Sequence, residues 1–441
     1  MSAHDSLALG RSLPLWSVLP FAGFLLSIAL FPVFAPEFWL RNYRKASLAF
    51  GLPVAAYFLA RAPGELLHIA MEYVSFVALL GALFIVSGGI LLRVSLRGAP
   101  VVNCAIMAIG AVLANLLGTT GASMLLVRPL LRINAGRKRC AHVVIFFIFI
   151  VANIGGMLSA VGDPPLFLGY LRGVPFFWTL VNMAWIWLFT VGVIIGVFYF
   201  IDRRAFMIER RAQKNAGEDE TGGAQHFAFA VEDPSGAPVS PPASKAPVSI
   251  EGEINFLFLA VVVGAVFLPT PWREITMAAA AFASIRLTPG AIREENGFTW
   301  HPIEEVAVLF AGIFATIIPA MLILQARGAE LGISSPAHFF WATGLLSSFL
   351  DNAPTYLVFV SLAQSLGGAS LVAGVSAPLL KAISAGAVFM GANTYIGNAP
   401  NFMVKAIAEE TGVRMPSFFG YMAWSCAVLL PVFLLITLIF F

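Results

Sequence analysis

The chain has 441 residues, 59% of them hydrophobic and 11% charged, against roughly 25% charged residues in an average soluble domain. That balance excludes a soluble globular protein and implies an integral membrane protein. The net charge of +3 is small, and the basic residues fall in short clusters rather than along one stripe, so a nucleic-acid-binding function has no support.

From the N-terminus, Arg11 precedes the first apolar run, and "VFA" at 33–35 resembles a signal-cleavage site. The run from Leu13 to Val33 is longer than a usual signal h-region, so it is read as a membrane helix. Runs long enough to cross a ~30 Å hydrocarbon core cover 14–32, 66–93, 143–171, 175–201, 302–326, 376–405 and 418–441, and those at 46–61, 254–269 and 273–287 are marginal crossings. Segments 101–132 and 336–366 are interrupted by "LGTTGAS" (117–123) and "LDNAPT" (350–355). Cys104, Cys140 and Cys426 are far apart and lack metal or redox spacing.

Loops rich in Lys and Arg stay cytoplasmic. Arg93 and Arg97 precede the first interrupted segment, and Arg128, Arg132, Arg137, Lys138 and Arg139 follow it. It is therefore read as a re-entrant hairpin that opens to the cytoplasm. Alternate crossings then place "RNYRK" (41–45) and Arg203, Arg204, Arg210 and Arg211 on the same side. The flanks of the second interrupted segment are nearly free of positive charge, so that hairpin is expected to open outside, with both chain termini outside as well. Residues 202–253 include "SGAPVSPPASKAPVS" and read as a flexible cytoplasmic linker between residues 1–201 and 254–441.

The two halves resemble each other. His68 and Glu72 reappear as His301 and Glu304, "TGAS" (120–123) as "NAPT" (352–355), and "VGDPP" (161–165) as "IGNAP" (396–400), all at nearly one spacing. The fold class predicted is an all-α polytopic membrane protein. Each half would hold about five crossings plus one hairpin, an odd number of crossings, which inverts the second copy.

The helix at 143–171 is broken by "NIGGMLSAVGDPP", and its counterpart at 376–405 by "GANTYIGNAPN". Glycine pairs and prolines free backbone groups from helical partners, which hydrocarbon tolerates only where they line a cavity or bind something. The sequence therefore points to paired sites. One holds Asp351, Asn352 and Thr355 at the hairpin tip with Asn393, Thr394 and Asn398 in the break, and the other Thr119, Thr120 and Ser123 with Asn153, Ser159 and Asp163. These are nearly all oxygen donors, the shell that hard cations such as sodium take, and Asp351, Asn352 and Asn393 are the expected sodium ligands. A turn role competes for Asp163, which precedes Pro164. Asp351 is the stronger functional candidate, because a neutral residue could cap a helix without the ~2.5–3.5 kcal/mol of placing a charge in the membrane.

Glu304 and Glu305 begin a helix, where the dipole favours carboxylates. Glu72 stands four residues after His68, as a pair or a proton relay. Lys381 and Arg128 can snorkel to water, and Trp16, Trp39, Trp272 and Trp300 suit interfaces. The sequence lacks GxxxxGK[ST] and any nucleophile or metal constellation. No enzyme activity and no cofactor are expected, and transport would draw on an ion gradient or on the solute's own gradient.

"FLDNAPT" and "ANTYIGNAPN", together with "LGTTGASMLLVRPLLRIN" and "NIGGMLSAVGDPPLFLGYLRG", resemble the ion transporter superfamily, in particular its bacterial sodium:proton antiporter and citrate transporter members. The resemblance covers nearly the whole chain outside the linker. It implies an elevator-type transporter of the bacterial inner membrane, usually a homodimer, with a moving domain built from hairpins and broken helices. The superfamily's carboxylate transporters usually carry a Ser-Asn-Thr tip, which this sequence lacks. The first functional expectation is accordingly sodium/proton antiport with Asp351 as ion and proton carrier. The alternative is sodium- or proton-coupled transport of citrate or another carboxylate, and a channel is the third reading.

Overall fold

The computed structural model describes residues 3–94, 96–215, 248–367 and 371–441. The first half runs through α1 (Ala3–Ser12), α2 (Leu19–Phe34), α3 (Pro36–Arg61), α4 (Pro63–Ser87), the strand β1 (Leu91–Val94), α5 (Pro100–Ile133), α6 (Ala141–Ile150), α7 (Pro164–Leu171) and α8 (Trp178–Asn215). The second comprises β2 (Val248–Glu251), α9 (Ile254–Ala265), α10 (Trp272–Leu287), α11 (Gly290–Glu295), α12 (His301–Arg327), α13 (Pro336–Ser347) and α14 (Asn352–Gln364). The short strands β3 (Leu371–Val372) and β4 (Val375–Ser376) pair with each other, and α15 (Ala377–Met390), α16 (Ala399–Glu410) and α17 (Phe418–Phe440) complete the chain. Among the described residues seven helices are long and apolar enough to cross a membrane, and the chain is a polytopic membrane protein. Many helices open on proline, as at Pro36, Pro63, Pro100, Pro164 and Pro336, where the missing N–H has no helical acceptor to lose.

The predicted segment 101–132 lies within α5, whose course reverses at Gly118 (φ 74°, ψ 158°), a backbone conformation essentially reserved for glycine. The two arms lie side by side. The Gly98 N–H donates to the Ile133 carbonyl at 2.8 Å, and Asn103 and Asn134 exchange amide hydrogen bonds at 3.1 and 2.8 Å. The predicted segment 336–366 is α13 and α14, joined through Ser348–Asp351, with Phe339 and Phe359 meeting edge to face at 6.2 Å across the two arms. Both interrupted segments are thus helical hairpins.

The two predicted broken helices are also present, as α6 and α7 around residues 151–163 and as α15 and α16 around 391–398. Their breaks are built alike. A Cβ on Gly156 or Gly162 would run into the other's carbonyl oxygen, and Gly391 and Gly397 approach each other in the same way. Each break ends on an extended residue, Asp163 (φ −146°, ψ 145°) and Asn398 (φ −152°, ψ 139°).

Two differences from the sequence reading concern the edges of elements. "RNYRK" lies inside α3 rather than in a loop. The ends of the predicted linker are structured, since α8 continues to Asn215 and β2 pairs antiparallel with β1, Leu92 opposite Ile250. The physical reason at the first end is Asp202, fully buried, which accepts hydrogen bonds from Asn103 (2.9 Å) and His142 (2.8 Å) and pairs with Arg137 (2.6 Å). Residues 216–247, with most of the Pro/Ser/Ala-rich stretch, lie outside the described residues.

The helices form two groups that pack within themselves and also on each other, α12 on α14 and α4 on α5. α2, α3, α4, α9, α10 and α12 pack on one another, with Phe76 of α4 against Phe310 of α12 at 4.6 Å and Ser47 of α3 donating to the Val308 carbonyl at 2.7 Å. The hairpins, the broken helices, α8 and α17 form the second group. The buried pair of Arg172 and Glu72 bridges them, with Arg172 Nη2 2.9 Å from Glu72 Oε2.

Candidate ion and solute site

Asp163 lies where the tips of both hairpins and both breaks converge, and it is 1% exposed. Its extended backbone follows from the proline after it, which disfavours the helical region for the preceding residue, and this aims the side chain across the break. One carboxylate oxygen accepts from the Thr119 hydroxyl (2.7 Å) and from the Asn398 amide (3.1 Å). The other accepts from the Asn352 amide at 2.5 Å. All three donors are neutral, and no Lys, Arg or His pairs with Asp163 among the described residues.

Side chains replace the helical hydrogen bonds that the breaks lose. In the second break, Asn401 donates to the carbonyls of Gly391 (2.8 Å) and Thr394 (2.9 Å), while its own amide oxygen accepts from Asn153 at 2.6 Å. Asn153 also donates to the Ile148 carbonyl, and Asn398 to the Ala152 carbonyl, so the two breaks are stitched together. Thr394 donates to the Ser348 carbonyl at 2.5 Å and Asn393 to the Ser348 hydroxyl at 2.9 Å. In the first break, Asn115 donates to the Gly155 carbonyl (2.8 Å) and accepts from the Leu158 N–H (2.7 Å), and Ser159 donates to the Asn115 carbonyl (2.6 Å).

Of the twelve residues singled out in the sequence, Thr119, Asp163, Asn352 and Asn398 share one hydrogen-bonded cluster, and Asn153 joins it through the Ala152–Asn398 and Asn401 contacts. Asn393 and Thr394 hold Ser348, and Ser159 holds the Asn115 carbonyl. Ser123 is fully buried and Thr120 half-buried beside the first tip. Asp351 caps α14, its carboxylate accepting from the Ala353 N–H at 3.0 Å and its carbonyl from the Thr355 hydroxyl at 3.0 Å. The three expected sodium ligands engage different partners. Asn352 faces Asp163, Asn393 faces Ser348, and Asp351 faces its own helix. Asn115, Ser348 and Asn401 were not singled out. The last of these closes the quoted "NAPN", where an Asn beside Pro reads as a turn residue.

The amide groups of Asn153, Asn352 and Asn398 turn their N–H donors inward, and their carbonyl oxygens, with that of Asn393, accept no hydrogen bond. The cluster therefore combines one carboxylate with unpartnered neutral oxygens. These donors are all oxygens, the kind of shell that hard cations take.

A model of the family described as "Putative citrate transport" matches residues 10–441. The chain belongs to this citrate-transport family. The match spans both hairpins, both breaks and Asp163, so the site lies within the region that defines the family. No curated protein matches the chain. Membership makes the chain a transporter-family membrane protein, and in the cluster around Asp163 a buried carboxylate has neutral partners only.

Proposed function

We propose that the protein is a secondary transporter that carries citrate or a related small carboxylate across a bacterial inner membrane together with a cation, and that Asp163 holds the coupling ion. The observation that carries this reading is the Asp163 carboxylate, buried and bonded to neutral donors alone. A buried carboxylate without a counter-ion is expensive, and a sodium ion or a proton at this position relieves that cost. Rotation of the Asn352 and Asn398 amides, whose N–H groups face Asp163 and whose oxygens are unpartnered, would add neutral oxygens to a sodium shell. The description of the family supports the carboxylate as cargo, in place of the antiport that the sequence reading put first.

Electrostatics fixes an order. At ~4 Å and an effective dielectric of ~20, two like charges repel by ~4 kcal/mol, about a thousand-fold in affinity. The cation binds Asp163 first, and the anionic solute follows. The matched breaks and paired hairpins support an inverted repeat, and the two packing groups an elevator motion of the hairpin group against the other.

Sodium/proton antiport is the second reading, favoured by the same carboxylate, whose neutral partners suit exchange between H⁺ and Na⁺. Reconstituted vesicles separate the two. Labelled citrate uptake driven by an inward sodium or proton gradient supports carboxylate transport. Sodium-driven proton movement with no citrate uptake would replace it with antiport.

A further inference from the structure

A cavity of about 210 Å³ opens between the second break and the end of α2. Tyr395 and Ile396 of the break, Phe402, Lys405 and Glu409 of α16, Met415 ahead of α17, and Pro32 of α2 form its wall. It is smaller than the about 300–1,000 Å³ of pockets that take drug-sized ligands, so its occupant is small. Position matters as much as size. Tyr395 and Ile396 lie just ahead of Asn398, whose amide touches Asp163. The wall of the cavity thus stands within three residues of Asn398 along the chain, where the end of α2 meets the second break.

The cavity has one cation. The Lys405 ammonium lies 5.5 Å from the centre of the Tyr395 ring and 5.7 Å from that of Phe402, a geometry in which two aromatic faces hold a positive charge. Tyr395 is itself fixed, donating to the Pro416 carbonyl at 3.1 Å and packing on Tyr421 at 4.1 Å between ring centres. The ammonium's carboxylate partner is Glu409, at 2.7 Å, one helical turn on and 43% exposed. Such an exposed i, i+4 pair contributes little. Glu409 can turn to water and leave the ammonium to another carboxylate, one anion exchanging for another with no buried charge left over.

We propose that this cavity is a carboxylate-binding vestibule of the transport path and that Lys405, steadied by Tyr395 and Phe402, contacts a carboxylate of the solute. The proposal rests on the carboxylate reading above and adds a residue that neither the hairpin tips nor the breaks supply. Glu409 acts as an internal competitor that occupies Lys405 between solute molecules.

The test is protection of an introduced cysteine in the full chain. Cys104, Cys140 and Cys426 are replaced by alanine, Met415→Cys is added, and maleimide labelling is timed with and without citrate in sodium-containing vesicles that also report labelled citrate uptake. Citrate is expected to slow labelling at least several-fold. Lys405→Met removes the protection, Lys405→Arg keeps it, and Glu409→Gln gives protection at lower citrate concentration. Protection that is absent, or unchanged in Lys405→Met, overturns the vestibule. Citrate uptake without protection leaves the carboxylate reading standing and rejects the vestibule alone. Protection without uptake leaves a carboxylate-binding cavity but overturns both the transport reading and the vestibule that rests on it.

Discussion

The side-chain amide of Asn352, at the tip of the second hairpin, donates to the Asp163 carboxylate of the first break at 2.5 Å, across a sequence separation of 189 residues. One hydrogen bond thereby joins the two halves at the point where each has given up helical structure. Thr119 and Asn398 complete the same carboxylate from the other tip and the other break. An ion held here touches all four elements, so loading it alters how the hairpins and breaks fit together, which is what coupling between ion and solute requires.

Asp163 directly precedes Pro164 and Asp351 stands three residues before Pro354, and the structure gives the two acids different work. Asp351→Asn retains an N-cap of equal quality, whereas Asp351→Ala removes it at about 1 kcal/mol. Transport by Asp351→Asn is expected to stay within a few-fold of wild type, with a lowered melting temperature only for the alanine variant. Loss of transport in Asp351→Asn with an unchanged melting temperature would move the ion-carrying role to Asp351.

Much of this arrangement is legible in the sequence. Gly118, the glycine pairs and the prolines mark both hairpins and both breaks, because only special backbone geometry calls for them. Which acid lies deepest is not legible locally. "GDPP" and "LDNAP" look alike as turns, and the burial of Asp163 comes from Asn352 and Asn398, distant in the chain. Asn401 was missed for the same reason, since its partners Gly391, Thr394 and Asn153 come together only when the breaks meet. The ordered first end of the linker is not legible either, because Asp202 reads as an exposed charge until Arg137, His142 and Asn103 surround it.

Asn401→Ala tests the stitching of the two breaks. It strands the carbonyls of Gly391 and Thr394 and the amide of Asn153, and each buried group left unpaired costs about 1–3 kcal/mol. The variant is expected to melt well below wild type in detergent and to transport poorly. A melting temperature equal to wild type would show that water or neighbouring groups replace Asn401 freely.

The Glu72–Arg172 pair, whose side chains are 5% and 10% exposed, joins the two packing groups. Arg172→Leu leaves the buried Glu72 with only the exposed His68, at 3.3 Å, and is expected to cost up to about 3–5 kcal/mol. The double replacement Glu72→Leu with Arg172→Leu should recover most of that loss, because an apolar pair needs no desolvation of charge. Thermal unfolding of the three proteins decides the matter, and equal losses in the single and double variants would contradict the pairing account.

The central claim is that Asp163 carries the coupling ion. It is tested most directly by labelled citrate uptake into vesicles under an imposed sodium or proton gradient, compared between wild type and Asp163→Asn. The asparagine keeps the size of the side chain and removes its charge, so the variant is expected to fold and to reach the membrane. The account predicts that gradient-driven uptake falls on the order of 100-fold, equivalent to ~2.7 kcal/mol of lost ion binding. Uptake by Asp163→Asn that still follows the gradient at close to the wild-type rate would contradict it.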